Sequence, residues 1–333
     1  MGKRRKRYPS SLFRILVFII VTLLLLSFTI YKTGYLILKG SSPTISNLVF
    51  KSISETNTFK NTNLINIYFT DEELKSKLAD LDPQIEENSG QVTGTEATFD
   101  IDPELKDKIE IIDIEEKLFK AKMMIIYDPS RISLAIDDYS DDKGSYVEEL
   151  VVKNDAIAGI NAGGFNDANY QGSGGVPDGI VIKDGQLVYG DLDDYLSIVG
   201  FNSNHKLMVG DMTAGQAIEW GMVDAVSFGP PLIVNYSYLD LSSKSDSLNP
   251  RTVIGQRGDG AVLLLVIDGR QINSVGASYQ QAQDLMGRYG AENAANLDGG
   301  SSSVMVYNNE IINSVVNLSG DRAVPNAWIV KWW

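Results

Sequence analysis

The hydrophobic positions divide the chain into an apolar N-terminal stretch, a polar middle and a long segment of short β-type runs. From Ile15 to Ile30 the sequence carries no charge, and with its flanks it is long enough to span a bilayer. The basic run KRRKR before it predicts a cytoplasmic N-terminus. A cleaved signal peptide is the alternative, but no small-x-small cleavage site follows the apolar run. We therefore predict an uncleaved, single-pass anchor at 1–38, with the main domain extracellular.

The polar middle, 39–107, is predicted to be a stalk that carries one short helix. Its first part is rich in Ser, Thr and Asn and has little apolar periodicity. Thr70 and Glu73 have the spacing of a capping box, and leucines continue at helical spacing as far as Leu81. The acidic, Gly- and Thr-containing run 86–98 then has the composition of a loop.

The remaining segment, 108–333, consists of short β-type runs separated by Gly, Asn and Asp turns. Asp184-Gly185, between two such runs, is the signal of a two-residue hairpin. Few segments have a helical pattern, and no period repeats along the chain. The predicted fold class is α+β, a mixed, β-rich domain with few helices, preceded by one N-terminal transmembrane helix.

The clearest helix of this domain lies between two apolar runs that both end in Asp-Gly. It follows Ser278, which has the N-cap position of a capping box with Gln281, and it stops before Gly290. A strand, helix, strand order predicts a crossover unit with neighbouring parallel strands. Asp268 and Asp298 would then emerge together at the carboxyl ends of these strands, where ligands commonly bind.

The charge balance and the scarcity of Cys and His limit the partners and the catalytic chemistry that the chain can have. The net charge is -14, and six of the 29 basic residues lie in the first fourteen positions, so the other 23 face 43 acids and leave a balance near -20. Such a surface repels nucleic acid and anionic lipid. With no cysteine and a single histidine, His205, thiolate sites and multi-histidine chemistry are excluded. Acid-base work must fall to Asp, Glu, Tyr or Lys.

The stretches IDGRQ and LDGGSSS bring together two carboxylates, the guanidinium of Arg270 and a loop of small residues. A carboxylic acid can protonate a leaving oxygen while a carboxylate activates water or supports an oxocarbenium-like centre. Arginine and a Gly/Ser loop can hold phosphate oxygens. The set suits cleavage of a sugar phosphodiester, although each Asp-Gly taken alone is also an ordinary turn.

Seven ordered blocks resemble the phosphodiester glycosidase family, whose members include the animal enzyme that uncovers mannose 6-phosphate and bacterial proteins of exopolysaccharide biosynthesis. The resemblance covers roughly 108–333. The family pattern often reads Asp-Gly-Gly-Gly-Ser-Ser-Thr, whereas here Ser301 replaces a glycine and Val304 the threonine. The blocks are GINAGGF, DGIVI, FGPPLI, NPRTVIG, VIDGRQINSVGAS, GAENAANLDGGSSSVM and RAVPNAWIV.

The resemblance implies a hydrolase that releases a sugar, N-acetylglucosamine in the animal enzyme, from a glycosyl-1-phosphodiester. It nominates Asp298 and Asp268 as the acid-base or nucleophile pair, with their individual roles open. The three arginines would clamp phosphate, and the Gly-Ser loop would line the sugar-phosphate junction. The residues nominated for substrate binding are Asn161, Gly163, Gly164, Arg251, Arg270, Gly299, Gly300, Ser301, Ser302 and Arg322.

Alternatives stay open for several of these residues. Arg251 can instead pin a loop, Asn161 can cap a turn, and Arg322 can pair with a neighbouring acid. No motif requires a cofactor; a divalent metal ion is chemically compatible, and the acidic clusters 137–142 and 191–194 have calcium-type ligands without EF-hand spacing.

The expected partners are a glycosyl phosphodiester or cell-surface polysaccharide and, through the N-terminal helix, the membrane, but not nucleic acid. Two rival functions remain: a non-catalytic module for exopolysaccharide assembly or binding, and a glycosidase acting on ordinary glycosidic bonds.

Overall fold

The computed structural model divides the chain into two compact units, Met1–Ala79 and Asp80–Trp333. Most of the predicted stalk, the 86–98 loop and all but the start of the 70–81 helix lie outside the described residues. The domain boundaries at 38 and 107 stay predictions. The described residues are 11–39, 67–70, 73, 99–137, 139, 143–166, 173–242, 244, 247–315 and 322–332.

The first unit contains the predicted apolar helix, α1, Ser11–Lys39. Its part Ile15–Lys39 is long and apolar enough to cross a membrane, a test that a signal sequence also passes. The capping box is present, because Thr70 N donates to Glu73 Oε2 at 2.9 Å and Glu73 N donates to Thr70 Oγ1 at 3.2 Å. Lys39 Nζ pairs with Glu73 at 2.9 Å.

The described part of the second unit has three short helices and seventeen strands. The helices are α2 Val147–Lys153, α3 Ala214–Glu219 and α4 Tyr279–Arg288. The strands are β1 Ile109–Glu115, β2 Lys120–Ile126, β3 Ile132–Ile136, β4 Ala156–Asn161, β5 Val181–Lys183, β6 Gln186–Tyr189, β7 Tyr195–Asn202, β8 Leu207–Thr213, β9 Met222–Ser227, β10 Pro231–Val234, β11 Ser237–Tyr238, β12 Arg251–Arg257, β13 Val262–Ile267, β14 Ala291–Leu297, β15 Met305–Tyr307, β16 Glu310–Ile311 and β17 Asn326–Lys331.

The strands form three sheets, and every pair within the described ranges is antiparallel. The first sheet has the order β1-β2-β13-β12-β14-β10-β11, the second β16-β15-β4-β17-β3 and the third β6-β5-β9-β7-β8. This arrangement confirms a β-rich α+β domain with few helices.

One core is shared by all three sheets, and each sheet has a helix on its other face. Leu264 of the first sheet, Trp328 of the second and Val199 of the third belong to the shared core. The apolar faces of α4, α2 and α3 pack in separate clusters with the first, second and third sheets. A strand buried on both faces reads as a continuous apolar run, which explains the sequence VLLLVI of β13.

The prediction that β13 and β14 are neighbouring parallel strands was wrong. β12 lies between them and is antiparallel to both, with Arg251 opposite Ile267 on one side and Thr252 opposite Leu297 on the other. β12 and β13 are consecutive in the chain and pair as a hairpin. This pairing occupies one side of β12, and β14 pairs with its other side. β13 and β14 still run in the same direction, and both therefore end at the same edge of the sheet.

Several local predictions are confirmed. Asp184 and Gly185 have φ values of 52° and 75°, as a two-residue hairpin between β5 and β6 requires. Ser278 and Gln281 form the capping box of α4, and Gly290 follows the helix with φ 81°. His205 is exposed in the β7–β8 turn.

Candidate active site

The two Asp-Gly turns meet at one edge of the first sheet. Asp268 follows the last residue of β13, Asp298 follows the last residue of β14, and Arg251 opens β12 between them. At a strand spacing of about 4.8 Å, the two aspartate backbones are on the order of 10 Å apart.

The glycines of both turns pack against Pro250, the residue before β12. A Cβ added at Gly269 would lie 2.6 Å from the nitrogen of Pro250, and one at Gly299 would lie 2.9 Å from its carbonyl oxygen. That oxygen accepts a hydrogen bond from Gly300 N at 3.0 Å. Glycine is therefore required beside each aspartate because the backbones approach closely, which is a structural role.

Asp268 is buried, and its carboxylate is held by two residues that follow β16, the edge strand of the second sheet. Oδ1 accepts hydrogen bonds from the backbone N–H of Ser314 at 2.9 Å and from Asn313 Nδ2 at 3.3 Å. Burial raises the pKa of Asp268 above its ordinary value, and the two hydrogen bonds and the charges of Lys122 and Lys120 oppose that rise. The balance favours a carboxyl group that keeps its proton to higher pH than an exposed aspartate.

Asp298 has a different environment. It is half-buried, and Oδ1 accepts the N–H of the following residue, Gly299, at 2.9 Å. Its backbone is held on both sides: Asp298 N donates to the carbonyl of Ala162 at 3.0 Å, and the Asp298 carbonyl accepts from Asn161 Nδ2 at 2.6 Å. These two bonds fix the main chain of Asp298 in place.

Asn161 is fully buried and connects three segments. Besides its bond to the Asp298 carbonyl, its Oδ1 accepts from Thr252 Oγ1 at 2.8 Å and from Val304 N at 3.2 Å. Both acceptor positions of the amide are therefore occupied. These contacts position the Asp298 turn, and the predicted contact of Asn161 with substrate stays a prediction.

Arg270 connects the two Asp-Gly loops. Its φ of 58° is left-handed, and its guanidinium lies against Gly300, where an added Cβ would be 3.2 Å from NH2. NH2 donates to Asn249 Oδ1 at 3.2 Å and NH1 approaches Ser301 Oγ at 3.4 Å. The side chain that follows Asp268 therefore reaches the loop that follows Asp298.

Arg251, the second nominated arginine, packs on the other side of the sheet, towards α4. It is buried, Nε donates to the carbonyl of Ala277 at 3.0 Å and NH2 to that of Ser247 at 2.9 Å. The guanidinium carbon lies 3.8 Å from the centroid of the Tyr279 ring. Arg251 thus pins loops through main-chain carbonyls, and its predicted contact with phosphate stays a prediction.

The Gly-Ser loop after Asp298 uses most of its backbone donors internally. It makes a 3-10 turn, Gly300–Ser302, in which Ser302 N donates to the Gly299 carbonyl and Ser303 N to the Gly300 carbonyl, both at 3.3 Å. Ser302 is buried, whereas Ser301 is half-exposed. This leaves the Ser301 side chain, beside Arg270, as the part of the loop best placed for an anion.

The Gly163-Gly164 turn follows Ala162, whose carbonyl accepts Asp298 N, and Arg322 contacts Phe165 just after that turn. Gly163 N donates to Asn326 Oδ1 at 2.7 Å, and a Cβ at Gly164 would lie 2.9 Å from the ring of Phe228. Arg322 lies over the ring of Phe165, with its guanidinium carbon 4.5 Å from the centroid. Their nominated roles in substrate binding stay predictions.

Three residues of the site were missed by the sequence analysis: Asn249, which contacts Arg270, and Asn313 and Ser314, which contact Asp268. Asn249 lies in the NPRTVIG block and was therefore within reach of motif comparison. Asn313 and Ser314 belong to no motif. They follow β16, which pairs with β15, and β15 pairs with β4; this arrangement brings them to Asp268.

No group of three His, Cys, Asp or Glu side chains suited to a metal ion occurs in the described ranges. Within 191–194, Asp191 Oδ1 accepts the N–H of Asp193 at 3.0 Å, as in a solvated turn. The cluster 137–142 lies largely outside the described residues. Binding of a divalent metal ion stays a prediction.

Known proteins match this fold and these motifs. Residues 154–331 match the model of the phosphodiester glycosidase family, and the chain belongs to that family. In sequence it is 29% identical over 192 residues to the SPbeta prophage-derived uncharacterized protein YomE of Bacillus subtilis (strain 168). That alignment covers 53% of this chain and 28% of the relative, so the chain spans less than a third of the relative's length.

Two solved structures share the fold. The catalytic domain of zebrafish N-acetylglucosamine-1-phosphodiester alpha-N-acetylglucosaminidase, auto-inhibited by its pro-peptide, aligns with a TM-score of 0.58 and 19% identity over 72% of this chain and 87% of that one. A protein from Burkholderia pseudomallei K96243 aligns with a TM-score of 0.50 and 18% identity over 64% of this chain and 74% of that one.

Proposed function

We propose that this chain is a membrane-anchored hydrolase that cleaves a glycosyl-1-phosphodiester, in a cell-surface polysaccharide or its precursor, into a sugar and a phosphomonoester. The observation that carries the proposal is the position of Arg270, which joins the buried Asp268 turn to the Asp298 loop through Ser301. Its guanidinium supplies a cation for phosphate beside the loop that follows Asp298, at the edge where both strands end. N-acetylglucosamine is the sugar named for the zebrafish enzyme of similar fold.

In the proposed reaction Asp268 is the general acid. The bond between the anomeric carbon and the phosphate oxygen breaks, and the leaving oxygen takes the proton of Asp268. A phosphomonoester has a second pKa of about 6. An acid whose pKa is raised by burial matches that leaving group better than an exposed aspartate does.

Asp298 supplies the carboxylate on the other side of the bond. It either takes a proton from the attacking water or bonds first to the anomeric carbon, and in both cases water supplies the new oxygen of the sugar. Its half-exposed carboxylate suits the ionised role, whereas the burial of Asp268 suits the protonated one. The difference in environment carries this assignment of roles.

The phosphate would bind Arg270 and the Ser301 hydroxyl. Guanidinium groups bind phosphate oxygens through two parallel N–H bonds, and Arg270 already has both terminal nitrogens at this edge. Most backbone N–H groups of the Gly-Ser loop are used within the protein, so the side chains are the main anion donors in this proposal.

The activity is tested with the full-length chain in detergent and a panel of glycosyl-1-phosphodiesters, measuring free sugar and phosphomonoester. We expect both products in equal amounts, strongly reduced in Asp268→Asn and Asp298→Asn and unchanged in Asp193→Asn, a matched substitution at an exposed turn. Polysaccharide binding without product would favour an assembly or binding module. Cleavage of ordinary glycosides alone would favour a general glycosidase.

The proposed location is the cell membrane, single-pass, with a cytoplasmic N-terminus and an extracellular main domain. The support is the apolar span Ile15–Lys39 after a basic segment. The chain has no cysteine, so single-cysteine variants report topology cleanly. In intact cells, a membrane-impermeant maleimide should label Ser203→Cys and not Gly2→Cys; the reverse pattern would refute this topology, and release of the labelled chain into the medium would indicate a cleaved signal.

A further inference from the structure

Asn313 and Ser314 reach Asp268 from a different part of the fold. They follow β16, the edge strand of the second sheet, whereas Asp268 directly follows β13 of the first sheet, and 45 positions separate Asn313 from Asp268. The approach therefore depends on the packing of two sheets against each other. Neither residue belongs to any motif of the sequence, and neither has an assigned role.

The Asn313 side chain makes three hydrogen bonds. Nδ2 donates to Asp268 Oδ1 at 3.3 Å and to the carbonyl of Ser303 at 3.0 Å, and Oδ1 accepts the N–H of Met305 at 2.8 Å. The bonds to Ser303 and Met305 fix the direction of the amide, so its N–H group, and not its oxygen, faces the carboxyl group. Asn313 also ties Asp268 to the segment that follows the Gly-Ser loop.

Ser314 adds a second donor to the same oxygen. Its backbone N–H lies 2.9 Å from Asp268 Oδ1, and its carbonyl accepts Gln271 Nε2 at 2.9 Å. An oxygen that accepts two N–H groups is a poor place for a proton. When Asp268 is protonated, the proton therefore lies on Oδ2.

We propose that Asn313 is a positioning residue that selects Oδ2 of Asp268 as the oxygen from which the proton reaches the leaving phosphate. The inference rests on the proposed function, in which Asp268 is the general acid. The aspartate would otherwise exchange its two oxygens by rotation about the Cβ–Cγ bond, and half of its protonated population would present the proton away from the bond that breaks. The two donors at Oδ1 remove that freedom.

The charges around Asp268 define the expected pH behaviour. Lys120 and Lys122 of β2 act on it from the neighbouring strand, and Arg270 follows it in the chain. Asn313 and Ser314 stabilise the ionised form from the second sheet. Removing the Asn313 donor while the charges stay in place must raise the pKa of Asp268. An enzyme that needs Asp268 protonated would then stay active to higher pH.

The test is the pH profile of kcat/KM for Asn313→Ala and Asn313→Ser in the full-length chain, with Asn154→Ala as a matched control at the end of α2. Serine keeps a hydroxyl near Ser303 and Met305 and serves if the alanine variant fails to fold. We expect kcat to fall about twofold at the optimum, because up to half of the protonated population would then present its proton on the wrong oxygen. We also expect the alkaline limb to move to higher pH in both variants and to stay in place in the control.

A fall in kcat without movement of the alkaline limb would overturn the proposal, because a merely structural role lowers the active fraction equally at every pH. Movement of the limb to lower pH would also overturn it. Absence of product from the wild-type chain would refute the proposed function instead. These three outcomes are distinct.

Discussion

The Asp268 loop and the Asp298 loop share a motif and differ in nearly every contact. Both have an aspartate at a strand end and a glycine pressed against Pro250. The Asp268 carboxylate is buried and bound by two donors from the second sheet, whereas the Asp298 side chain is half-exposed and binds its own neighbour Gly299. The same dipeptide thus has its carboxyl group in two different environments, and burial raises the pKa of Asp268.

The proposed roles of the two carboxyl groups therefore depend on their environments and not on the Asp-Gly motif that they share. Desolvation raises the pKa of Asp268, and the groups that oppose the rise come from two elements, the turn after β16 and strand β2. For Asp298, by contrast, the described contacts are main-chain bonds and the bond from Gly299 N to its own carboxylate. If the two turns act as acid and base, as proposed, the difference between them arises from non-local packing.

The largest expected effect comes from removing each carboxylate. Asp268→Asn and Asp298→Asn should each lower kcat/KM by about 10²–10⁴-fold. The two should differ with the leaving group: an electron-withdrawing aryl ester on the phosphate lowers the need for an acid, so it should restore part of the activity of Asp268→Asn and little of that of Asp298→Asn. Steady-state kinetics with a matched pair of substrates measures this. Equal restoration in both variants would remove the proposed division of roles.

Substitutions at the two arginines should affect different quantities: KM at Arg270 and the free energy of unfolding at Arg251. Arg270→Lys keeps the charge and loses the two-nitrogen contact with Ser301 and Asn249, so KM for a phosphodiester should rise about tenfold with little change in stability. Arg251→Lys loses buried hydrogen bonds and the Tyr279 contact, so the free energy of unfolding should fall by about 2–3 kcal/mol. Kinetics and urea unfolding report the two quantities. A large rise in KM in Arg251→Lys with unchanged stability would indicate that Arg251 contacts the phosphate.

The two turn glycines should respond alike, since both press on Pro250. Gly269→Ala and Gly299→Ala place a Cβ at 2.6 and 2.9 Å from Pro250 atoms. Each should lower the free energy of unfolding by about 1–3 kcal/mol. Gly215→Ala, within α3, is the matched control; its Cβ would lie 3.3 Å from the Leu192 carbonyl oxygen, a looser contact, so the loss should be smaller. Wild-type stability in either turn variant would mean that the turn moves freely away from Pro250.

Local signals in the sequence predicted local structure well. The Asp-Gly hairpin at 184–185, the capping box of α4 and the Thr70–Glu73 cap each depend on residues a few positions apart, and each is present. Both Asp-Gly turns were also expected at one edge, and they are there. These features require no knowledge of which strands pair.

Features that depend on distant pairing escaped prediction. Periodicity does not show that β12 lies between β13 and β14, because an apolar strand buried on both faces carries no information about its neighbours. The side of the sheet to which Arg251 points follows from that register. The approach of Asn313 to Asp268 follows from the packing of two sheets. The site residues that the sequence missed are therefore those held by long-range contacts.

A smaller effect should appear in stability. Asp268 has a pKa above its ordinary value of 3.8, so the folded state binds its proton more tightly than the unfolded state does. Ionisation then costs stability, beginning as pH rises past 3.8 and complete above the folded pKa. Asp268→Asn avoids this cost, and its amide oxygen can still accept from Ser314 and Asn313. We expect the variant to have a higher Tm than wild type at neutral pH.

Thermal unfolding across pH tests this expectation. The difference in Tm between Asp268→Asn and wild type should shrink as pH falls and vanish below the ordinary aspartate pKa. A variant that is less stable than wild type at neutral pH would show that the ionised carboxylate is well accommodated. The assignment of Asp268 as the proton-holding member of the pair would then lose its physical basis.

The smallest effect is expected at Ser301, where the two loops touch. Its hydroxyl lies 3.4 Å from Arg270 NH1, a long contact worth little by itself, so Ser301→Ala should raise KM only about threefold. Ser203→Ala, at the exposed β7–β8 turn, is the control. A rise of more than about tenfold would mean that the Ser301 hydroxyl is a main phosphate donor and not a minor one beside Arg270. The Asp298 loop would then hold the anion as well as supply the base, and phosphate binding would no longer belong mainly to the side of Asp268.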